Sequence, residues 1–213
     1  MSSSPVLDFI LEHKLIAIVR GVAPQRVGPL AEALYRGGIR LIEVTFDQRR
    51  GPEDTIDSIK RIRKEFGNEV LAGAGTVLTP EQVAAAASAG ASYIISPNVD
   101  ATVIAATKSR GMLSIPGALT PSEIVTAHRC GADLVKLFPA GSLGVDYARA
   151  IMAPLSHIKL LAVGGVDETN LRSWLDAGFV GAGIGGGVVK KELIDAGRYG
   201  EITMLAEKYS RQV

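Results

Sequence analysis

The chain has 213 residues, of which 47% are hydrophobic and 21% charged, the balance of a globular domain long enough to bury a core. Its 23 basic and 22 acidic residues leave a net charge of +1, which gives no field for nucleic acid or a membrane surface. A single cysteine, Cys130, excludes an internal disulfide framework.

The first segment, about Ser4–His13, reads as a short helix. Asp8, Glu12, His13 and Lys14 break its apolar stretch, so it does not read as a signal peptide. No apolar run approaches the roughly 18 residues of a membrane helix. One cytoplasmic domain over residues 1–213 is the expectation.

From there β-branched runs alternate with Ala- and charge-rich segments of helical period. The pattern predicts strand Ile16–Val19 then helix Gln25–Arg36, Leu41–Thr45 then Glu53–Phe66, and Val70–Ala72 then Pro80–Ala89. It continues with Tyr93–Ser96 then Ala101–Arg110, Leu113–Ile115 then Pro121–Cys130, and Leu134–Phe138 then Val145–Pro154. Lys159–Val163 precedes Glu168–Ala177, and Gly181–Ile184 precedes a last helix near Ile202–Ser210. Thr79-Pro80 and Thr120-Pro121 each place a capping hydroxyl before a proline at the first helical position. Asp167 is expected to cap a helix beginning at Glu168. Glycines such as Gly90, Gly131 and Gly178 stand where helices must end. Eight strand–helix repeats imply parallel strands with right-handed crossovers, which close into a (β/α)8 barrel of the TIM type. An open doubly wound sheet is the alternative, but no dinucleotide-binding glycine fingerprint follows the first strand.

Two charges sit inside apolar strands. Lys136 lies in Leu134-Val135-Lys136-Leu137-Phe138, and Glu43 in Leu41-Ile42-Glu43-Val44-Thr45. Burial would lower the lysine pKa and make the amine nucleophilic, and would raise the carboxyl pKa. The bland alternatives are a lysine snorkelling at the strand rim and a structural buried ion pair. On the second and sixth strands of eight, inward side chains would converge across the lumen.

Gly164-Gly165 follows the seventh strand and Gly185-Gly186-Gly187 the eighth. Loops there are the usual phosphate cradle of this barrel. Arg20, Thr76 and Pro97 fall at the C-terminal strand ends, the catalytic rim, although each is also an ordinary turn or surface residue. His13, His128 and His157 miss the predicted strand ends, and no His/Asp/Glu spacing suggests a metal. Neither a metal nor another cofactor is expected.

Taken together, the Glu43-Val44-Thr45, Gly73-Ala74-Gly75-Thr76-Val77, Ser96-Pro97, Ile115-Pro116-Gly117, Lys136-Leu137-Phe138-Pro139-Ala140 and Gly164-Gly165 segments resemble the 2-keto-3-deoxy-6-phosphogluconate / 4-hydroxy-2-oxoglutarate aldolase family. The resemblance runs through nearly the whole chain in order. It implies a metal-independent, pyruvate-forming class I aldolase, usually a homotrimer, acting on a small keto acid. By resemblance Lys136 forms the Schiff base and Glu43 moves protons. Thr76 and Pro97 line the pyruvate pocket, Phe138 packs beside it, and Gly164 and Gly165 approach the phosphate. Two positions depart from the pattern. Asp47 stands where many members carry an arginine that contacts the substrate carboxylate, leaving Arg20, Arg49 and Arg50 as replacements. Gly187 stands where many carry a serine. The alternatives are an aldolase of the galactonate epimer, a phosphate-binding barrel epimerase or thiamin-phosphate-synthase-like enzyme, and a non-enzymatic assembly protein.

Overall fold

The computed structural model describes residues 4–213. After α1 (Pro5–His13) come β1 (Leu15–Val19), α2 (Pro24–Arg36), β2 (Leu41–Thr45), α3 (Glu53–Phe66), β3 (Leu71–Gly75) and α4 (Pro80–Ala89). Then follow β4 (Tyr93–Ile95), α5 (Ala101–Lys108), β5 (Leu113–Ile115), β6 (Gly117–Ala118), α6 (Pro121–Arg129) and β7 (Val135–Leu137). The chain ends with α7 (Ala140–Met152), β8 (Leu160–Val163), α8 (Leu171–Asp176), β9 (Gly181–Ile184), α9 (Lys191–Asp195) and α10 (Tyr199–Ser210).

Every neighbouring pair of strands is parallel, in the order β5-β4-β3-β2-β1-β9-β8-β7-β6. The two ends of that order are one piece of chain interrupted at Pro116, which has no N–H to give a ladder. Its carbonyl still pairs, accepting from Lys136 N–H at 2.9 Å. The sheet therefore closes through Pro116, and the nine short strands are the eight staves of a parallel α/β barrel of the TIM type.

Strand alternation divides the core in two. Ile16, Leu41, Leu71, Tyr93, Leu113, Leu134 and Leu161 point inward, and Ile10 of α1 packs into the same cluster with Phe9 and Leu7 at its edge. Helix α1 thus plugs the N-terminal mouth. The alternate residues, such as Ala17, Ile42, Ala72, Val135 and Ala182, pack outward against Leu30, Leu34, Ile59, Trp174 and Ile202 of the helices.

Local chemistry explains most boundaries. Thr79 accepts from Gln82 N–H, and Thr120 with Glu123 forms a reciprocal capping box. Several expected boundaries change. The third strand is Leu71–Gly75 instead of Val70–Ala72, because inward space is needed at its two glycines. Asp167 caps no helix: its carboxylate accepts from Thr169 N–H at 2.8 Å in a local turn, and α8 starts only at Leu171. The sixth helix after a barrel strand starts at Ala140, not Val145, and is kinked at Gly144 (φ 78°, ψ 167°). Among the described residues no helix is long and apolar enough to cross a membrane.

Candidate active site

Two residues further along the rows that carry Leu41 and Leu134, the inward side chains are Glu43 and Lys136. They are 2% and 6% exposed, so both have left bulk water. β3 makes room for the carboxylate. A Cβ on Gly75 would overlap Glu43 Oε1, and one on Gly73 would overlap the Tyr93 ring that forms the floor below. Glu43 and Lys136 make neither a hydrogen bond nor an ion pair with each other among the described residues. Among the described residues no fully buried side-chain nitrogen or oxygen lacks a partner, so their tips reach open space. That space is a cavity of about 550 Å³ at the C-terminal end of the barrel.

Arg20, Glu43, Thr76, Pro97, Lys136, Phe138, Gly164, Gly165, Gly186 and Gly187 all line it. Ile18, Val163, Val166, Asp167 and Gly183 also line it and were not singled out from the sequence, whereas Gly185 belongs to the loop expected there. Ile18 and Val163 share the inward parity of Glu43 and could have been found that way. Asp167 carries no such signal.

Burial holds Glu43 above the usual carboxylate range, and the charges of Lys136 and Arg20 pull the other way. Burial lowers Lys136 below the usual lysine range; Glu43 opposes that shift and Arg20 adds to it. One pocket thus holds an amine whose neutral form burial favours and a carboxyl whose proton burial retains, an arrangement capable of nucleophilic attack and proton transfer. Lys136 Nζ lies 4.6 Å from the Phe138 ring centroid, a contact that favours the ammonium form.

Arg20 Nη2 donates to Thr76 Oγ1 at 3.3 Å. Thr76 has a positive φ of 56°, unusual for a β-branched residue. Gln48 Nε2 holds it there by donating to the Thr76 carbonyl at 2.7 Å, and Gln82 Nε2 in turn donates to Gln48 Oε1. Of the three candidate arginines only Arg20 lines the cavity. Arg50 is drawn to Asp47 and Asp54 on the exterior (3.8 and 4.0 Å), and Asp47 accepts from Arg49 N–H.

The far end of the cavity is backbone. Gly164 (φ 86°) and Gly165 (φ 75°) make a turn that side chains rarely adopt. Gly141 N–H donates to the Gly164 carbonyl at 2.7 Å, and a Cβ on Gly165 would stand 2.9 Å from Gly141 Cα. Asn170 closes the turn, donating to the Gly165 carbonyl at 2.9 Å and accepting from Asp167 N–H. Gly185 and Gly186 face open space on the other side. Among the described residues no group of three or more His, Cys, Asp or Glu side chains could hold a metal.

A family model described as KDPG and KHG aldolase matches residues 6–205. The chain belongs to the KDPG and KHG aldolase family. A family relative from Escherichia coli, 2-dehydro-3-deoxy-6-phosphogalactonate aldolase, is 40% identical over 80% of this chain and 82% of its own. The 2-dehydro-3-deoxy-phosphogluconate aldolase of Treponema pallidum is 37% identical over 95% of both chains. The KDPG aldolase of Legionella pneumophila, solved with pyruvate captured at low pH as a covalent carbinolamine intermediate, is 29% identical with a TM-score of 0.83. That match covers 92% of this chain and 93% of that one. As a member of the KDPG and KHG aldolase family, this protein is a lyase of the aldolase type.

Proposed function

We propose that this chain, as a single-domain cytoplasmic homotrimer, is a Schiff-base aldolase. Its substrate in this reading is a 2-keto-3-deoxy-6-phosphohexonate, cleaved to pyruvate and glyceraldehyde 3-phosphate. What supports the reading most is the facing pair of Lys136 and Glu43, buried along their stems and open to one cavity at their tips. Neutral Lys136 attacks the C2 carbonyl to form a carbinolamine, which takes up a proton from solvent and loses water to give a protonated imine. Glu43 removes the C4 hydroxyl proton. The C3–C4 bond then breaks, its electron pair passes into the imine as an enamine, and the aldehyde leaves. Glu43 returns the proton to C3, and water hydrolyses the new imine to release pyruvate and free Lys136. Arg20 with Thr76 is the donor set for the C1 carboxylate. Pro97 and Phe138 wall the pyruvate end. The amides of Gly164, Gly165, Gly186 and Gly187 receive the phosphate.

The gluconate and galactonate substrates differ at C4, the carbon whose hydroxyl Glu43 must reach. The galactonate epimer is the reading put first, because the 40%-identical relative bears that name. The gluconate epimer and unphosphorylated 4-hydroxy-2-oxoglutarate are the competing substrates. Borohydride reduction in the presence of pyruvate, followed by digestion, tests the chemistry: the label belongs on the Lys136 peptide, and a label elsewhere or nowhere sinks the mechanism. Catalytic efficiencies on the three acids rank the substrates. Sedimentation equilibrium tests the trimer, which a stable monomer at micromolar concentration refutes.

A further inference from the structure

Helix α10 lies outside the barrel and contributes nothing to the cavity lining, yet its last turn reaches both loops of the distal end. Tyr209 is only 1% exposed. A Cβ on Gly187 would overlap its Oη and stand 3.3 Å from its Cζ, so the phenol touches the β9–α9 loop from behind. Glu168, in the β8–α8 loop, lies beside the same phenol. Its neighbours reach the same residue: Gln212 Nε2 donates to the Glu168 carbonyl at 3.0 Å, and Lys208 Nζ is 3.7 Å from Glu168 Oε1. The helix itself is fixed to α2, where Ser210 Oγ donates to the Gly37 carbonyl at 2.7 Å and Thr203 Oγ1 to the Ala33 carbonyl at 3.0 Å.

We propose that Tyr209 is a positioning residue of the distal pocket, one phenol that sets the spacing between the Gly185–Gly187 loop and the β8–α8 loop and thereby the grip on a phosphorylated substrate. The proposal rests on the distal end being the phosphate seat. Gly185 and Gly186 have no protein atom in reach of a would-be side chain, so the support of this loop comes from behind, at Gly187. Burial, with Glu168 and Asp167 nearby, raises the Tyr209 pKa, so the group stays neutral and adds no repulsion toward an anion.

The test uses Tyr209→Phe, Gly187→Ala and the double variant, each assayed on the phosphorylated hexonate and on 4-hydroxy-2-oxoglutarate, with thermal unfolding alongside. Tyr209→Phe should raise KM for the phosphorylated acid about three- to tenfold, the scale of one lost polar contact behind the loop. Its kcat and its KM for the unphosphorylated acid should stay unchanged, since Lys136 works at the other end of the cavity. Gly187→Ala should weaken the phosphorylated substrate further on its own, yet cost little more in the Tyr209→Phe background, where the overlapping oxygen is gone. Equal losses on both acids, or strictly additive effects of the two substitutions, overturn the proposal. A wild type indifferent to the phosphate removes the distal-seat reading and the substrate consequence together. Non-additivity in unfolding temperature then distinguishes that failure from failure of the Tyr209–Gly187 contact.

Discussion

The lower and upper halves of the barrel interior are built on the same strands and do opposite things. In the lower half Leu41, Leu71 and Leu134 meet Ile10 of the plugging helix in an apolar layer. Two residues on, about 7 Å along each strand, the same inward rows present Glu43, Gly73 and Lys136. One layer removes carbon from water and stabilises the fold. The next puts two ionisable groups where water is scarce, which costs stability and shifts both of their pKa values. A strand needs no change of conformation to make this transition, only a change of residue at the next inward position.

Breaking the upper layer should leave the lower intact. Lys136→Ala is expected to abolish both turnover and borohydride trapping, while its denaturant midpoint stays level or rises because a buried amine is gone. Glu43→Gln should lower turnover by about 10² to 10⁴ yet still form an imine with pyruvate; loss of trapping would give Glu43 a role in imine formation itself. The converse change, Leu134→Ala, should cost about 2–5 kcal/mol in equilibrium unfolding with little effect on kcat of the folded fraction. A large kcat loss there would mean the two layers are not separable. Gly186→Val should raise KM for the phosphorylated acid about tenfold, the scale of one strong polar contact, without changing stability. Gly186 is the cleaner site for this purpose than Gly165, where a side chain would also collide with Gly141.

The smallest expected effect is in pH. The proposed chemistry needs ionised Glu43 and neutral Lys136, so both groups fail as pH falls, Glu43 through its raised pKa and Lys136 through its lowered one. The acid limb should therefore be steeper than one proton. Glu43 partly holds the Lys136 pKa up, so Glu43→Gln should move the acid limb of imine formation to lower pH. Stopped-flow imine formation with pyruvate measures this, and a limb moving upward would contradict the assigned coupling.

Much of this was legible in the residues because strand alternation is a local rule. Leu-x-Glu and Leu-x-Lys place the charges inward once the strands are recognised, and the Gly-Gly pairs mark loops by composition. What was not legible depends on contacts between distant segments. Gly73 and Gly75 fell beyond the expected third strand, yet they are strand residues emptied of side chains so that Tyr93 and Glu43 can fit. Nothing local marks Pro116 as the point where the sheet closes. Arg20 could not be chosen over Arg49 and Arg50 until Asp47 and Asp54 were seen to draw Arg50 away from the cavity. Tyr209 read as one more helical residue, because its partner Gly187 lies 22 positions earlier in another loop.

The plug formed by α1 turns the barrel into a cup. Whatever enters must come and go past the C-terminal rim, and the floor is closed. Under the proposed chemistry this imposes a queue. The aldehyde half, held near the rim glycines, blocks the pyruvate half bonded to Lys136 and must depart before water can free the deeper piece. Run in reverse, pyruvate has to be seated first, so the aldehyde acceptor is the half exposed to exchange with other aldehydes.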